Sequence, residues 1–533
     1  MLSGLSSRAQ TRWLRQCRGG LAENMDRMSA DVFLTSGIGP YLHGMSRKPS
    51  IIIIGAGFAG LGMALELRRH GIENFTVLEK ATDLGGVWRE NTYPNAACDV
   101  PSPLYSWSFE PKSDWPRRFS HQRDIHGYMR EIADKYRIPD RIEFGVEVTD
   151  AEFDEHEGVW RITTADGVIR TADILIPAVG QLSRPALPNL PGIDSFTGAA
   201  FHSAEWDHTV DLTGKRVACI GTGASAIQYI PSIQPKVEHL TLFQRSAAWV
   251  LPKFDTEYSA LHKALFKYVP PVRMAERFAI WTLFEVLALA LTDIPAMQGP
   301  VISIADRHRE KQVPDPELRA KLTPDYAAGC KRGLFSNDYF PALGQPNVSV
   351  ETTGIEAITP TGIRTADGVE HQVDVIVFGT GFKGTEFLAP MNIYGQGGRK
   401  LADEWAAEGA RAFLGMSVPH FPNLFMMYGP NTNVGSGSII YMLEAQARYI
   451  REAIGFLAER PGRSAAARPS AEQSWDDWLQ RRLKDTPWNF CSSWYRNASG
   501  RITNNWPGAT VLFRWKTRKF DPSDYEVAEA ARH

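Results

Sequence analysis

Ile51-Ile52-Ile53-Ile54-Gly55-Ala56-Gly57-Phe58-Ala59-Gly60 is the stretch that decides the fold class. Four consecutive isoleucines have no polar face, so they read as a strand covered on both sides, as in a central parallel sheet. Three glycines follow at GxGxxG spacing. Leu61 to His70 then reads as a helix ended by Gly71, and Thr76 to Leu78 as a second strand closed by Glu79, 19 residues after Gly60. This is a βαβ unit. In such a unit the first glycine permits a sharp turn, the second lets a pyrophosphate approach the backbone, and the third lets helix and strand lie close. The phosphates rest at the helix N-terminus, where free N–H groups and the helix dipole favour anions. Glu79 stands where an acid would accept hydrogen bonds from ribose hydroxyls. Glycine turns are common, but one that follows a strand, opens a helix and meets an acid at this distance reads as a dinucleotide site.

The pattern returns further along. Arg216 to Ile220 reads as a strand, and Gly221-Thr222-Gly223-Ala224-Ser225-Ala226 as the loop. A helical segment and a strand, Leu240 to Phe243, complete the unit. Its last position is Arg245 rather than an acid. A guanidinium there would pair with a 2′-phosphate, which favours NADPH over NADH. Two such loops in one chain point to a flavin and a nicotinamide dinucleotide, FAD and NADPH.

Around the second loop lie Asp173 to Gly180 (DILIPAVG) and Asp374 to Gly381 (DVIVFGTG), each an acid, an apolar strand and a small-residue turn. Both read as strands returning to the first unit, so that the second is inserted within it. The expected class is α/β with two Rossmann-like domains. The FAD domain would take residues 47–190 and 350–533, and the NADP domain 191–349, with a helical insert at about 255–325. The most apolar stretch, Phe278 to Leu291, is shorter than the roughly 20 residues a membrane span needs. It reads as a buried or pocket-lining helix, with interfacial membrane contact as the alternative.

Composition limits the alternatives. The 533 residues are 43% apolar and 22% charged with a net charge of −2, ordinary values that give no basic surface for nucleic acid. Five cysteines (Cys17, Cys98, Cys219, Cys330, Cys491) form no CxxC pair, which argues against a disulfide framework, a metal site and a dithiol redox centre. A cytoplasmic setting is expected. Residues 1–46 carry Arg8, Arg12, Arg15 and Arg18 before any acid, and read as a disordered extension. Oligomeric state is not legible.

Four further segments carry a family resemblance. Phe196 to Asp207 (FTGAAFHSAEWD) has the form FxGxxxHxxxW followed by Asp. It resembles the fingerprint of the type I, class B Baeyer–Villiger monooxygenases within the flavin-containing monooxygenases. The related N- and S-oxygenating enzymes usually end that motif in Tyr, then Lys or Arg. Gly85-Gly86-Val87-Trp88, Tyr93-Pro94 and Asp99 are similar to the family segment that runs along the flavin. Asn95 replaces the usual Gly or Met there, and Asn tolerates left-handed backbone. Cys330-Lys331-Arg332 resembles the segment carrying the family's active-site arginine, and Asn423 to Ile439 its late loop near the flavin ring. The resemblance spans most of residues 48–510.

The resemblance implies FAD contacts at Gly55, Gly57, Gly60, Glu79, Val87, Trp88, Asp99, Tyr105 and Val148. It implies NADPH contacts at Gly221, Thr222, Gly223, Ala224, Ser225, Ala226, Ile227, Arg245, Ser246, Lys331 and Arg332. The implied reaction is NADPH- and dioxygen-dependent conversion of ketones to esters or lactones through a C4a-peroxyflavin. Arg332 would hold the developing negative charge, since guanidinium stays protonated and donates in a rigid fork. Asp99 would pair with Arg332 and orient it. His202 and Trp206 would couple the two units. A small hydrophobic ketone is the expected substrate, with the insert and the aromatic C-terminal loops excluding water. The alternatives are N- or S-oxygenation of sulfides or amines, NADPH oxidase activity, and a non-catalytic nucleotide sensor.

Overall fold

A computed structural model describes residues 48–294, 298–490, 495–497 and 499–529. The expectation for residues 1–46 lies outside the described residues, as do Cys17 and Cys491.

The isoleucine run is the strand Ile51–Ile54, buried throughout. It pairs in parallel with Phe75–Glu79 on one side and Ile174–Pro177 on the other, and Ile142–Phe144 extends the sheet beyond Phe75–Glu79. The helix Phe58–Arg69 crosses between the first two strands. Gly60 makes that crossing possible. A Cβ there would stand 1.8 Å from the Gly55 carbonyl oxygen.

The second sheet has the same plan. Its parallel order is Val348–Glu351, His239–Phe243, Arg216–Ile220, Val375–Phe378 and Ala199–His202. Gly221 follows the central strand at φ +110°, and a Cβ would lie 2.4 Å from the Gly379 oxygen. Only glycine adopts this backbone so close to another chain without strain.

The two acid-led strands therefore part company. Ile174–Pro177 joins the first sheet as expected, but Val375–Phe378 belongs to the second and not the first. The reason is local. Asp173 accepts from Ser50 N at 2.8 Å, just before the first glycine-loop strand. Asp374 accepts from Arg216 N and Nη2, each at 2.8 Å, at the start of the second. Those hydrogen bonds hold the Asp374 carboxyl down to about 2. Each unit thus carries its own closing strand. Each closing strand follows an antiparallel meander, Val148–Asp154 to Ile169–Ala172 in one case and Ile355–Thr359 to Glu370–Gln372 in the other.

The chain then returns to the first unit. Leu175 N donates to Asn423 O at 3.1 Å, Phe425 N to Leu175 O at 3.0 Å and Met427 N to Pro177 O at 2.9 Å. The late loop is thereby fastened to the carboxyl end of the first sheet, where open α/β sheets bind ligands. The second unit is inserted within the first, as expected.

Between the strands His239–Phe243 and Val348–Glu351 of the second sheet the chain forms the helices Ala260–Tyr268, Pro270–Thr292, Gln298–Gln312 and Pro316–Lys321. Leu291 packs with Leu483, Trp488, Tyr495 and Ile502 of the C-terminal loops. Within the apolar stretch Ile280, Phe284, Glu285, Ala288 and Ala290 are buried. Phe278, Leu283 and Val286 are exposed, so the helix is covered on only part of its circumference. Cys330 also departs from expectation. It is held in a disulfide. Spacing along the chain does not reveal cysteines brought together by folding. No helix among the described residues is long and apolar enough to cross a membrane, and no cluster there could hold a metal ion.

Candidate active site

The first glycine loop is walled by the Gly85–Gly86 turn. Gly85 N donates to Ala56 O at 2.9 Å, and a Cβ on Gly86 would come within 3.1 Å of the Gly57 Cα. Val87 begins the short helix Val87–Glu90 immediately after this turn. Two bare backbones facing each other leave a slot in which a pyrophosphate meets N–H groups rather than side chains. Glu79 is buried. Its oxygens accept from Ala56 N at 2.6 Å and Ala81 N at 2.9 Å. A carboxylate has about four acceptor positions, so two remain for ribose hydroxyls. Val146 N bonds Glu79 O, which brings the buried Val148 to the same end of the sheet. Trp88 Nε1 donates to Tyr105 Oη at 3.0 Å, with the rings edge to face. Asn95 takes φ +64°, the left-handed turn its motif position demands.

The second loop is braced by Thr222, whose hydroxyl donates to Ser246 O at 3.0 Å. Ile227 N closes the first helical turn on Gly223 O at 3.2 Å, with Ser225 at the N-cap and Ala226 buried beneath. Ala224 packs on the core of this unit. Lys331 reaches in from the insert side. Its Nζ lies 2.5 Å from Ser246 Oγ and 4.4 Å from the centre of the Tyr326 ring. Burial, and then the neighbouring Arg245, push the Lys331 pKa down. Two cations crowded beside a glycine loop fit a dianionic phosphate, which would relieve their repulsion.

Arg332, one residue on, faces the other site. The residue is exposed, yet enough protein lies around it to act on its charge. Burial works against its charge. Asp99, Tyr495, Cys98 and Tyr428 together outweigh that, and its pKa stands above that of a free guanidinium. Asp99 is thus a partner in charge, but its direct ion pair is with Lys253 Nζ at 3.7 Å. Gln228 adds a third neighbour. Its amide nitrogen lies 3.5 Å from Asp99 Oδ1 and 3.1 Å from Ala97 O, while its oxygen accepts from Tyr93 Oη and Ala97 N, each at 3.1 Å. Gln228 sits on the helix that opens at the second glycine loop, so it ties that loop to the Asp99 segment.

His202 is buried at the end of its strand, with its ring edge-on to Phe382 at 5.6 Å. Nδ1 accepts from Ala204 N at 3.1 Å, which leaves the proton on Nε2. Burial lowers its pKa, so the ring is neutral at pH 7. Trp206 contacts Phe201 at 5.2 Å and Tyr229 at 5.4 Å, and Tyr229 contacts Tyr93 at 6.2 Å. An aromatic column therefore runs from the FxGxxxHxxxW segment to the flavin-side motif.

The comparisons with known proteins can now be set beside this geometry. Residues 52–262 match the model described as pyridine nucleotide-disulphide oxidoreductase. A Baeyer–Villiger monooxygenase of Streptomyces coelicolor is 46% identical over 90% of this chain and 93% of its own. The chain belongs to the Baeyer–Villiger monooxygenase family. A second member, from Pseudomonas aeruginosa, is 42% identical over 90% of this chain and 92% of its own. Among solved structures, an oxidized steroid monooxygenase bound to NADP superposes with a TM-score of 0.80 at 30% identity, covering 91% of this chain and all of that one. A closed cyclohexanone monooxygenase gives 0.80 at 28% identity, with the same coverage.

Of the sequence-predicted residues, Gly55, Gly57, Gly60, Glu79 and Val87 stand at the first glycine loop, and Gly221 to Ile227, Ser246 and Lys331 at the second. Lys253 and Gln228 went unread. Gln228 carried a faint signal, since it lies within the first turn after the loop. Lys253 carried none, because it meets Asp99 only through folding.

Proposed function

We propose that this chain is a flavoprotein monooxygenase that inserts one oxygen atom of dioxygen beside a ketone carbonyl and spends NADPH to reduce the other to water. The balance is ketone, O2, NADPH and H+ giving ester or lactone, water and NADP+. FAD, when bound, supplies the activated oxygen. The family supports the reaction class. The single observation that carries the site assignment is the divergence of Lys331 and Arg332. One peptide step separates a cation on the second glycine loop from a cation coupled to Asp99.

The chain's own residues then have distinct tasks. Gly55, Gly57, Gly60 and the Gly85–Gly86 turn would hold the flavin pyrophosphate, Glu79 a ribose, and Val87, Trp88, Tyr105 and Val148 the remaining contacts. Gly221 to Ile227 would hold the nicotinamide dinucleotide, with Arg245, Ser246 and Lys331 on its 2′-phosphate. Arg332 would stabilise negative charge developing on the transferred oxygen and on the former carbonyl oxygen. Asp99, steadied by Lys253 and Gln228, would keep Arg332 charged and oriented. His202 and Trp206 would couple the motions of the two units. Leu291, Trp488 and Tyr495 would keep water out.

An apolar ketone is the favoured substrate class, because Leu291, Leu483, Trp488, Tyr495 and Ile502 form an apolar cluster and Tyr495 acts on the charge of Arg332. The cytoplasmic reading rests on the NADPH requirement and the free thiols of Cys98 and Cys219, with the Cys330 disulfide standing against it. The test is product identification by mass spectrometry from parallel ketone, sulfide and amine panels with NADPH and oxygen. Ester or lactone from ketones supports the reading. Sulfoxide or N-oxide without any ester, or hydrogen peroxide alone, overturns it.

A further inference from the structure

The two sides of the insert hairpin differ sharply. Inwardly it is anchored to the site. Arg277 Nη1 donates to Pro103 O at 2.5 Å and Ser106 O at 3.2 Å, in the loop that follows Asp99. Glu285 accepts from Thr510 N and Val511 N, each at 3.1 Å, and Ser436 Oγ of the late loop donates to Phe284 O. Outwardly the hairpin is apolar. Leu261 and Tyr268 lie two turns apart along one side of the first helix, 70% and 73% exposed. On the second helix Val272, Phe278, Leu283 and Val286 fall within one half of the helical circle, and Leu283 is 57% exposed. More than half of the large hydrophobic side chains exposed among the described residues lie between Phe254 and Ile304. A cluster of this kind marks a contact surface rather than the usual scatter.

We infer that this outer face docks on an anionic lipid surface. Charge decides between lipid and protein. From Ser259 to Thr292 no acid is exposed, since Glu276 is turned to Tyr258 Oη at 2.7 Å and Glu285 is buried. Lys267 is exposed and Lys263 half-buried. The polar groups on the face are satisfied within the hairpin, with Thr282 Oγ1 bonded to Phe278 O and Ser259 Oγ to His262. That leaves little directional hydrogen bonding for a protein partner to read. Aliphatic and aromatic tips flanked by lysine match the acyl–headgroup boundary, and the lysines match anionic headgroups. No described helix is long and apolar enough to cross a membrane, so the face would lie in the interface. The inference goes beyond ketone oxygenation and holds whatever the substrate. Docking would set the oxygen-transfer site beside the membrane, where apolar compounds concentrate.

The test is co-sedimentation of the FAD-loaded enzyme with sucrose-filled vesicles of phosphatidylcholine, with and without phosphatidylglycerol. The wild type is expected to sediment with the anionic vesicles. The triple variant Leu261→Ser/Tyr268→Ser/Leu283→Ser is expected to lose roughly tenfold or more of that binding, with flavin content and NADPH oxidation in vesicle-free buffer unchanged. Lys263→Gln/Lys267→Gln keeps every apolar side chain of the face, and should weaken binding by a similar factor to phosphatidylglycerol vesicles alone. No sedimentation of the wild type, or undiminished binding by the lysine variant, overturns the inference. So does a wild-type dimer that the triple variant dissolves in sedimentation velocity, since the face would then join two copies of the chain.

Discussion

Lys331→Met is the sharpest probe of the second nucleotide site. Lys331 Nζ sits 2.5 Å from Ser246 Oγ, and Thr222 ties that same residue to the glycine loop. The side chain is half-buried and shares its space with the charge of Arg245. A hydrogen bond to a charged group is worth about 1.5–3 kcal/mol. One such bond to a 2′-phosphate should therefore raise the KM for NADPH by roughly 10- to 150-fold. NADH has no 2′-phosphate, so its KM should stay put, and the coenzyme preference should collapse by the full factor. Arg245→Ala should act alike, and the double variant should fall short of the product of the two, since both cations meet one phosphate. The pH dependence has a definite sign. Burial first, and Arg245 second, lower the Lys331 pKa. As pH rises through that lowered value the ammonium is lost, so NADPH affinity should decline before the ordinary lysine range while NADH affinity stays flat. The assay is steady-state coenzyme oxidation with each coenzyme, checked by anaerobic flavin reduction. Equal increases in both KM values, or an unchanged preference, would refute phosphate recognition by Lys331.

Arg332→Ala should abolish ester formation while FAD remains bound, and undiminished product by mass spectrometry would remove Arg332 from the chemistry. Lys253→Met strips Asp99 of its direct ion-pair partner, so kcat for ketone oxygenation should fall and hydrogen peroxide release rise, with the KM for NADPH unchanged. An NADPH effect without a kcat effect would place Lys253 elsewhere. Gly60→Ala forces a Cβ to 1.8 Å from the Gly55 oxygen, so the purified protein should lack flavin absorbance. Burial first, then Asp476, raise the pKa of Glu472 to about 7, with Arg411 offsetting only part. A carboxyl raised in the folded state supports folding below about pH 4.5 and loses that support as pH rises through about 7. Glu472→Gln should therefore flatten the fall in Tm between about pH 5 and 8, removing at most about 3 kcal/mol of pH dependence. An unchanged slope would assign it to another group.

Much of the fold was legible because both glycine loops impose local rules. The Ile51–Ile54 strand, the Gly60 crossing and Glu79 at the sheet end all follow from a spacing that only one backbone path satisfies. Asn95 was readable for the same reason. The Asp374 strand misled because its form duplicates the Asp173 strand. Composition cannot say which sheet a strand joins; the Arg216–Asp374 pair decides that, 158 residues apart in sequence. The long insert helix misled because an apolar run signals burial without telling which half of a helix is covered. The candidate site divides the same way. Arg332, Asp99 and Lys331 stood in recognisable motifs. Lys253 and Gln228 are joined to Asp99 only across the interior, and chain spacing holds no record of such meetings.

The parallel strand Val375–Phe378 bears on how such enzymes can be recombined. The turn after it supplies the Gly379 oxygen against which Gly221 is moulded. A gene segment running from the FxGxxxHxxxW motif to the end of Val348–Glu351 would carry the coenzyme loop without that wall. A chimera built to exchange coenzyme preference between two members of this family must therefore move both pieces, or choose donor and recipient whose Val375–Phe378 segments are interchangeable. The natural crossover points lie ahead of Phe196 and after Gly381, well outside the loop that names the unit on both sides.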